Sequence, residues 1–160
     1  MKRHIKGFTL VELLIVTVIV AAVIVIALYT QAGRKSVSQA YYAAGVVRSD
    51  LLHVKNKVLT YEPGYSAGIL NGTQQDSWGY KDYKYQDDLY NSTPSEKVVS
   101  LAQYGGNIRI SIPGGECRFK KDGTLDSAED KIIIIKMKNK DFYGIKVYKN
   151  GSISEILKLN

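Results

Sequence analysis

Cysteine is nearly absent: Cys117 is the only thiol in 160 residues. That excludes an intramolecular disulfide and any zinc or iron–sulfur site built on several cysteines. Histidine is almost as scarce, with only His4 and His53, which leaves little material for a histidine metal site or a catalytic triad. Phe and Trp number three and one against 12 Tyr, so the aromatic side chains are mostly amphipathic. These shortages argue against a conventional hydrolase or redox enzyme. Acidic charge is also outweighed: 22 Lys and Arg oppose 15 Asp and Glu, a formal net charge of +7. What the chain does have is apolar content, at 45%, enough for a folded core in one domain and too much for a disordered polymer.

That content is unevenly spread. Across residues 13–28 the only non-aliphatic residue is Thr17, whereas from Val37 onward the chain reads as an ordinary soluble protein. A short basic leader, with three Lys or Arg in its first six residues, precedes the run. Residues 8–28 as a helix would measure roughly 31 Å, matching a hydrocarbon core of about 30 Å. The leader is expected on the cytoplasmic side, and Arg34 and Lys35 beyond the run weaken that asymmetry without reversing it. A secretory signal peptide would have a shorter apolar region and a small-residue cleavage site. Ala21, Ala22 and Ala27 are present, but Tyr29-Thr30-Gln31 makes a poor end. A plain signal anchor accounts for the length but not for Glu12, and a buried soluble helix would not be aliphatic all round. A carboxylate four residues into hydrocarbon costs about 2–3 kcal/mol or more and is normally kept because it has a partner. The most economical partner is a new α-amine. A cut between Gly7 and Phe8 would create one, able to neutralise the Glu12 of a neighbouring subunit.

The segment Lys6-Gly7-Phe8-Thr9-Leu10-Val11-Glu12-Leu13-Leu14-Ile15-Val16 resembles the class III leader of type IV pilins and type II secretion pseudopilins. The resemblance implies that a prepilin peptidase cuts between Gly7 and Phe8 and methylates the Phe8 amine, and that Glu12 guides subunit docking. It further implies that the apolar helix first anchors the subunit in the bacterial inner membrane, head outside the cytoplasm, and later packs in a filament core. Many pilins have proline where this chain has Tyr29; Gly33 is the nearest helix-loosening residue here.

Beyond the run, Val37, Ala40, Tyr41, Ala44, Val47, Leu51, Val54 and Val58 recur at steps of three or four, an amphipathic stripe. Lys35, Ser38, Gln39, Arg48, Ser49, Asp50, Lys55 and Asn56 fall on the other face. Glu62-Pro63-Gly64 ends the pattern. One helix over 8–59 would span roughly 78 Å. Residues 61–97 read as long polar loops with a short strand near Trp78. Strand signals follow: Ile108, Ile110 and Ile112 on one face; 117–120 before an Asp122-Gly123 turn; a buried strand over 131–138 built on Ile132 to Ile135; then Tyr143, Ile145 and Val147, leading to Asn150-Gly151, a two-residue hairpin signal, with 152–157 returning. The order predicts an α+β, pilin-like architecture: one long N-terminal helix packed on an antiparallel sheet. Its parts would be a leader (1–7), a membrane and filament-core helix (8–29), an amphipathic continuation (30–60) and a globular head (61–160).

The C-terminal half is similar to the GspH/FimT group of minor pseudopilins, in Phe119 to Thr124, Ile132 to Ile135, Tyr143 to Val147 and Gly151-Ser152-Ile153, with Ser49 to Leu52 and Trp78-Gly79 in keeping. FimT-like proteins that bind DNA carry a Gly-Arg-x-Arg pattern near the final hairpin; here the positions read Gly151-Ser152-Ile153-Ser154, without arginine. The expected function is therefore a non-enzymatic minor pilin or pseudopilin of a type IV pilus or a type II secretion pseudopilus. Its expected partners are prepilin peptidase, other subunits, the inner membrane and the assembly platform. The alternatives are a competence-associated minor pilin contacting DNA and a major pilin.

Other candidates are weighed against plainer readings. Asp122, Asp126, Glu129 and Asp130 offer oxygens to calcium, although the spacing is not that of an EF-hand and a solvated turn explains it equally; no other cofactor is expected. Lys131, Lys136, Lys138, Lys140, Lys146 and Lys149, facing only Asp141 nearby, suit an anionic surface, but lysines also protect strand edges. Tyr80, Tyr83, Tyr85 and Tyr90 could stack sugars or bases; loop tyrosines covering a sheet are the commoner case. His53 reads as structural and Cys117 as an inert buried thiol. The leader yields a direct prediction. Co-expression with a prepilin peptidase removes seven residues and leaves N-methyl-Phe8, as read by mass spectrometry of the intact chain. An uncut terminus, or a cut near Ala27, would contradict it.

Overall fold

Leu10–Thr60 forms one α-helix, α1, of 51 residues. The structure, a computed structural model, describes residues 9–60, 66–88 and 95–159, the side chains of 30–35, 87, 88, 95 and 96 excepted. Glu62-Pro63-Gly64 and Tyr90 lie outside the described residues. The chain divides into two compact units, Met1–Val37 and Ser38–Asn160. In the second, α1 buries Ala40, Ala43, Ala44, Val47, Leu51, Val54 and Val58. This is the stripe expected from the 3.6-residue period from Ala40 onward, with one exchange, while Val37, expected to begin it, is 37% exposed. Ala43 is fully buried, whereas Tyr41 is 55% exposed and only its ring edge meets Tyr143, at 5.5 Å. Three alanines let the strands come close to the helix where a tyrosine would hold them off.

The stretch read as loops is mostly strand. It contains β1 (Ser66–Asn71), β2 (Gln75–Asp76), β3 (Gly79–Tyr80), β4 (Asp82–Asp88) and β5 (Ser95–Ser100). The short strand expected near Trp78 is in fact the β2–β3 pair on either side of it. In β4 the inward positions are tyrosines, Tyr83 fully buried and Tyr85 packed on the core, between outward Lys84 and Gln86. The period of two is present, but tyrosine carries it without raising hydropathy. Then come β6 (Ile108–Ser111), β7 (Glu116–Phe119), β8 (Lys131–Met137), β9 (Lys140–Val147) and β10 (Ile153–Lys158).

The expected antiparallel sheet is two sheets. One has the order β5-β4-β1-β7, the other β10-β9-β8-β6-β3-β2, and every pairing is antiparallel. Register places Ile110 opposite Ile135 and Ile135 opposite Tyr143, with Ile133 opposite Ile145. Ile69 lies opposite Tyr85 and Cys117. All of these side chains meet the helix stripe in one hydrophobic cluster. The isoleucine run of β8 is not buried throughout: Ile133 and Ile135 are fully buried, while Ile132 is 39% exposed. Only one face of this sheet is covered, so a continuous apolar run still alternates.

Among the described residues of the head, Asp82 and Arg109 are buried charged groups. Asp82 accepts hydrogen bonds from the Thr73 and Gln74 amides at 3.2 and 2.9 Å and from the Thr73 hydroxyl at 3.3 Å. Arg109 binds Asp76 through Nε and Nη2, both at 2.7 Å, and donates through Nη1 to the carbonyls of Gly106 and Ile108. Together they pin the β2–β3 hairpin, whose two-residue strands provide few ladder bonds of their own. At the opposite edge of the same sheet, β10 shifts register between Ile153 and Ile156. Arg48 of α1 donates to the Ser154 carbonyl there, at 2.8 Å.

Hairpin chemistry departs from expectation in an instructive way. The two-residue loop with both φ positive is Lys138–Asn139, at 49° and 61°, joining β8 to β9, the signature of a type I′ turn. At Asn150-Gly151 only the glycine has positive φ, +80°. Gly151 N–H donates to the Tyr148 carbonyl and Tyr148 N–H to the Ser152 carbonyl, each at 2.8 Å, which closes a three-residue loop with glycine in the left-handed position. A Cβ at Gly151 would come within 1.8 Å of the Gly123 carbonyl oxygen, so two turns meet backbone to backbone. Gly151→Ala is expected to destabilise the head by at least about 2 kcal/mol, whereas Asn139→Gly, at a φ glycine prefers, is close to neutral. Thermal unfolding followed by circular dichroism checks both; equal melting of the two variants would refute the assignment of the turns.

Candidate functional site

The first turn of α1 is built around Thr9 and Glu12. The Glu12 amide donates to the Thr9 hydroxyl oxygen at 3.2 Å, while the Glu12 carboxylate accepts from the Thr9 amide at 3.0 Å and from its hydroxyl at 2.9 Å. This is a reciprocal capping box: Thr9 is the N-cap and Glu12 the third helical residue. It fills donors that the start of a helix leaves open. Sequence reasoning sought a partner for Glu12 in a neighbouring amine and missed the one three residues upstream, although Thr-x-x-Glu ahead of an apolar run is the signal for it. Gly7 and Phe8 lie outside the described residues.

From Leu10 to Tyr29 the helix has a mean hydropathy of 3.1, and none of it is buried within its own chain. Leu13, Val18, Ile24 and Leu28 are each more than half exposed. Its 20 residues measure about 30 Å as a helix, long enough to cross a bilayer. Thr17, the polar interruption, donates its hydroxyl to the Leu14 carbonyl at 2.8 Å, so it asks nothing of its surroundings. Apolar surface this continuous needs lipid or other helices around it.

The acidic turn does not gather its carboxylates. Asp122 accepts from the Thr124 hydroxyl and amide, which hold it below the usual carboxylate range. Asp126 faces Lys120 at 3.5 Å. Asp130 binds Lys146 at 2.9 Å and accepts from the Lys149 amide, and both lower its pKa. The Glu129 amide donates to Ser127 at 3.3 Å. Among the described residues no group of three or more His, Cys, Asp or Glu is arranged to hold a metal ion. The lysine row also has more partners than Asp141 alone: Lys136 faces Asp141 at 3.8 Å, but Lys146 uses Asp130, and Lys131 donates to the Glu116 carbonyl at 2.5 Å.

Tyr80, Tyr83 and Tyr85 lie on strands rather than loops. Tyr83 is fully buried and donates to Asp50, a residue assigned from sequence to the solvent face of the helix. Burial first, and then the Asp50 carboxylate, push the phenols of Tyr83 and Tyr85 far above their ordinary range. Tyr80 packs on the core from β3, and His53 is exposed.

With this geometry in hand, the comparisons fall into place. Residues 2–28 match the family described as the prokaryotic N-terminal methylation motif. The fold matches the type IV minor pilin FimU of Pseudomonas aeruginosa in two crystal forms. In one, identity is 16% and TM-score 0.53, covering 71% of this chain and 89% of FimU. In the other, identity is 14% and TM-score 0.54, covering 76% and 88%. No curated protein matches the chain by sequence. The N-terminal motif is thus the prokaryotic methylation motif, and the fold, an apolar N-terminal helix with an antiparallel β head, is the pilin fold seen in FimU.

Cys117 sits on β7 with no exposed surface. Burial pushes its thiol up to about 12, with Lys131 pulling the other way and Glu116 adding to the rise. The folded chain therefore keeps a proton that the unfolded chain releases near 9.0. The unfolded state binds fewer protons in that window, so stability falls as pH rises from about 9 towards 12. Alkylation by iodoacetamide at about pH 8.5 should be negligible in the folded protein and complete in denaturant. Rapid labelling of the folded chain would show that the thiol is neither buried nor protonated.

Proposed function

We propose that this chain is a minor pilin: a structural, non-enzymatic subunit cut between Gly7 and Phe8, held in the bacterial inner membrane by the apolar half of α1, and then assembled through that helix into a filament with other pilin-type subunits. The observation that carries the reading is the pairing of a methylation motif over 2–28 with a pilin-fold head behind a fully exposed 20-residue apolar helix. The C-terminal sequence likeness to the GspH/FimT group supports a minor rather than a major subunit. It also keeps both the type IV pilus and the type II secretion pseudopilus as settings for assembly.

In this reading the capping box gives Glu12 a resting state. Two local donors hold the carboxylate while the subunit is alone in the membrane. On assembly the methylated Phe8 amine of a neighbour supplies the charge that Thr9 lacks. The hydrocarbon surroundings make that pairing count, because an isolated carboxylate there is costly.

Glu12→Leu removes the charge and the box together, so a second variant is needed. Glu12→Gln keeps an acceptor for the Thr9 amide, since glutamine also closes a capping box, but has no charge. Both variants should reach the membrane and be cut normally. Both should be depleted from sheared filaments at least about tenfold, the loss of one buried ionic contact. Comparing membrane and filament fractions by immunoblot measures this. If Glu12→Gln enters filaments as well as the parent does, charge pairing is not what selects Glu12.

A further inference from the structure

A groove of about 390 Å³ opens in the head between the start of its helical segment and the turn after β5, lined by Ser38, Gln39, Tyr42, Gln103 and Tyr104. This is within the size range of small-ligand sites. We infer that it is a binding site for a short, neutral oligosaccharide. The inference goes beyond the filament reading and does not rest on it.

The chemistry of the lining carries the assignment. No lining residue is charged, which disfavours phosphates, carboxylates and cations alike. Two amides, two phenols and a serine hydroxyl supply both donors and acceptors, the mixture that ring hydroxyls need. The two tyrosine rings stand 5.7 Å apart, tilted by 48°. Tyr42 is 66% exposed, which leaves ring surface free for the apolar face of a sugar. Aromatic stacking beside neutral hydrogen-bonding groups combines an apolar body with a polar rim, as a saccharide does.

The groove is also built rather than incidental. Its far wall is a 3-10 turn, Leu101–Gln103, anchored by fully buried Leu101 and capped by the Ser100 hydroxyl on the Ala102 amide. The Leu101 amide is fixed on the Lys81 carbonyl at 2.9 Å. Gly105, at φ +152°, follows the turn, and a Cβ there would press on Gln39 Oε1 at 3.2 Å. Glycine at this position lets Gln39 lie where it lines the groove. The near wall is helix. The backbone of both walls is therefore held before any ligand arrives, which lowers the ordering cost of binding.

The test uses the full chain in a zwitterionic detergent with no sugar headgroup, titrated calorimetrically with chitotetraose and with maltotetraose. Saturable binding of either is expected. Tyr42→Ala should weaken it about tenfold, the worth of one ring contact. Gln103→Ala, which leaves both rings in place, should weaken it as well, and Tyr148→Ala, an exposed tyrosine elsewhere on the head, should leave it unchanged. Three results would each overturn the assignment. One is no saturable binding of either sugar. Another is binding indifferent to both groove variants. The third is a preference for heparin that fades with salt, which would mark an anion surface instead. Loss of Tyr42→Ala from filaments with an unaltered sugar titration would reassign the groove as a subunit contact.

Discussion

Seven buried side chains of α1, from Ala40 to Val58, form the surface on which both sheets of the head close. Ile69, Tyr83 and Phe119 reach it from one sheet, and Ile110, Ile135 and Ile145 from the other. Neither sheet is large enough to bury its own inner face, and each fully buried large aliphatic residue contributes about 1.5–3 kcal/mol. The helix therefore acts as the third layer of a core that would otherwise be open. Its alanines set how near the strands come, and its larger residues, Leu51 above all, fill the space between the sheets.

Polar groups inside that arrangement are placed where they replace missing backbone bonds. Asp82 and Arg109 stand in for the ladder that a two-residue hairpin cannot supply. Arg48 covers a carbonyl where β10 breaks register. The free edge of β7 is closed by Leu125, Asp126 and Lys131. Asp50 and Tyr83 carry a hydrogen bond into the helix–strand contact, so a tyrosine can be used where a larger core would use phenylalanine. Each buried polar atom among these has its partner, which keeps its desolvation from counting against the fold.

Hydropathy alone made the apolar helix legible, and periodicity did the same for its amphipathic continuation and for β6 to β10. Both signals failed over 66–100 for one physical reason. Tyrosines occupy the inward positions of β4, and in β1 the inward pair, Ala67 and Ile69, flanks Gly68, so the alternation carries little hydropathic contrast. The second sheet was invisible with them. The turns were misread because Asn-Gly is a pattern of preference, while the conformation is set by strand length: Gly151 closes a longer loop, and Lys138–Asn139 takes the tight turn. Of the N-terminal site, the motif and the lone carboxylate were plain. Its local partner is encoded in the Thr9-x-x-Glu12 spacing, a signal weaker than that of a charge set in an apolar run. Buried Arg109 and Asp82 had no signature at all, since their roles depend on which loops the fold brings to them.

The Thr9–Glu12 box bears on the proposed cut between Gly7 and Phe8. The donor amide of Thr9 belongs to the peptide bond that joins it to Phe8, one bond downstream of the cut. The capping hydrogen bonds between Thr9 and Glu12 are thus made by residues that the proposed cut would leave in place. Removing the leader would change the chemistry of the chain end, from a basic tail to a lone amine, and would leave this capping box intact. Under the proposed maturation the same capped helix start would serve the subunit before and after the cut, and the difference would lie in which neighbours the new amine can meet.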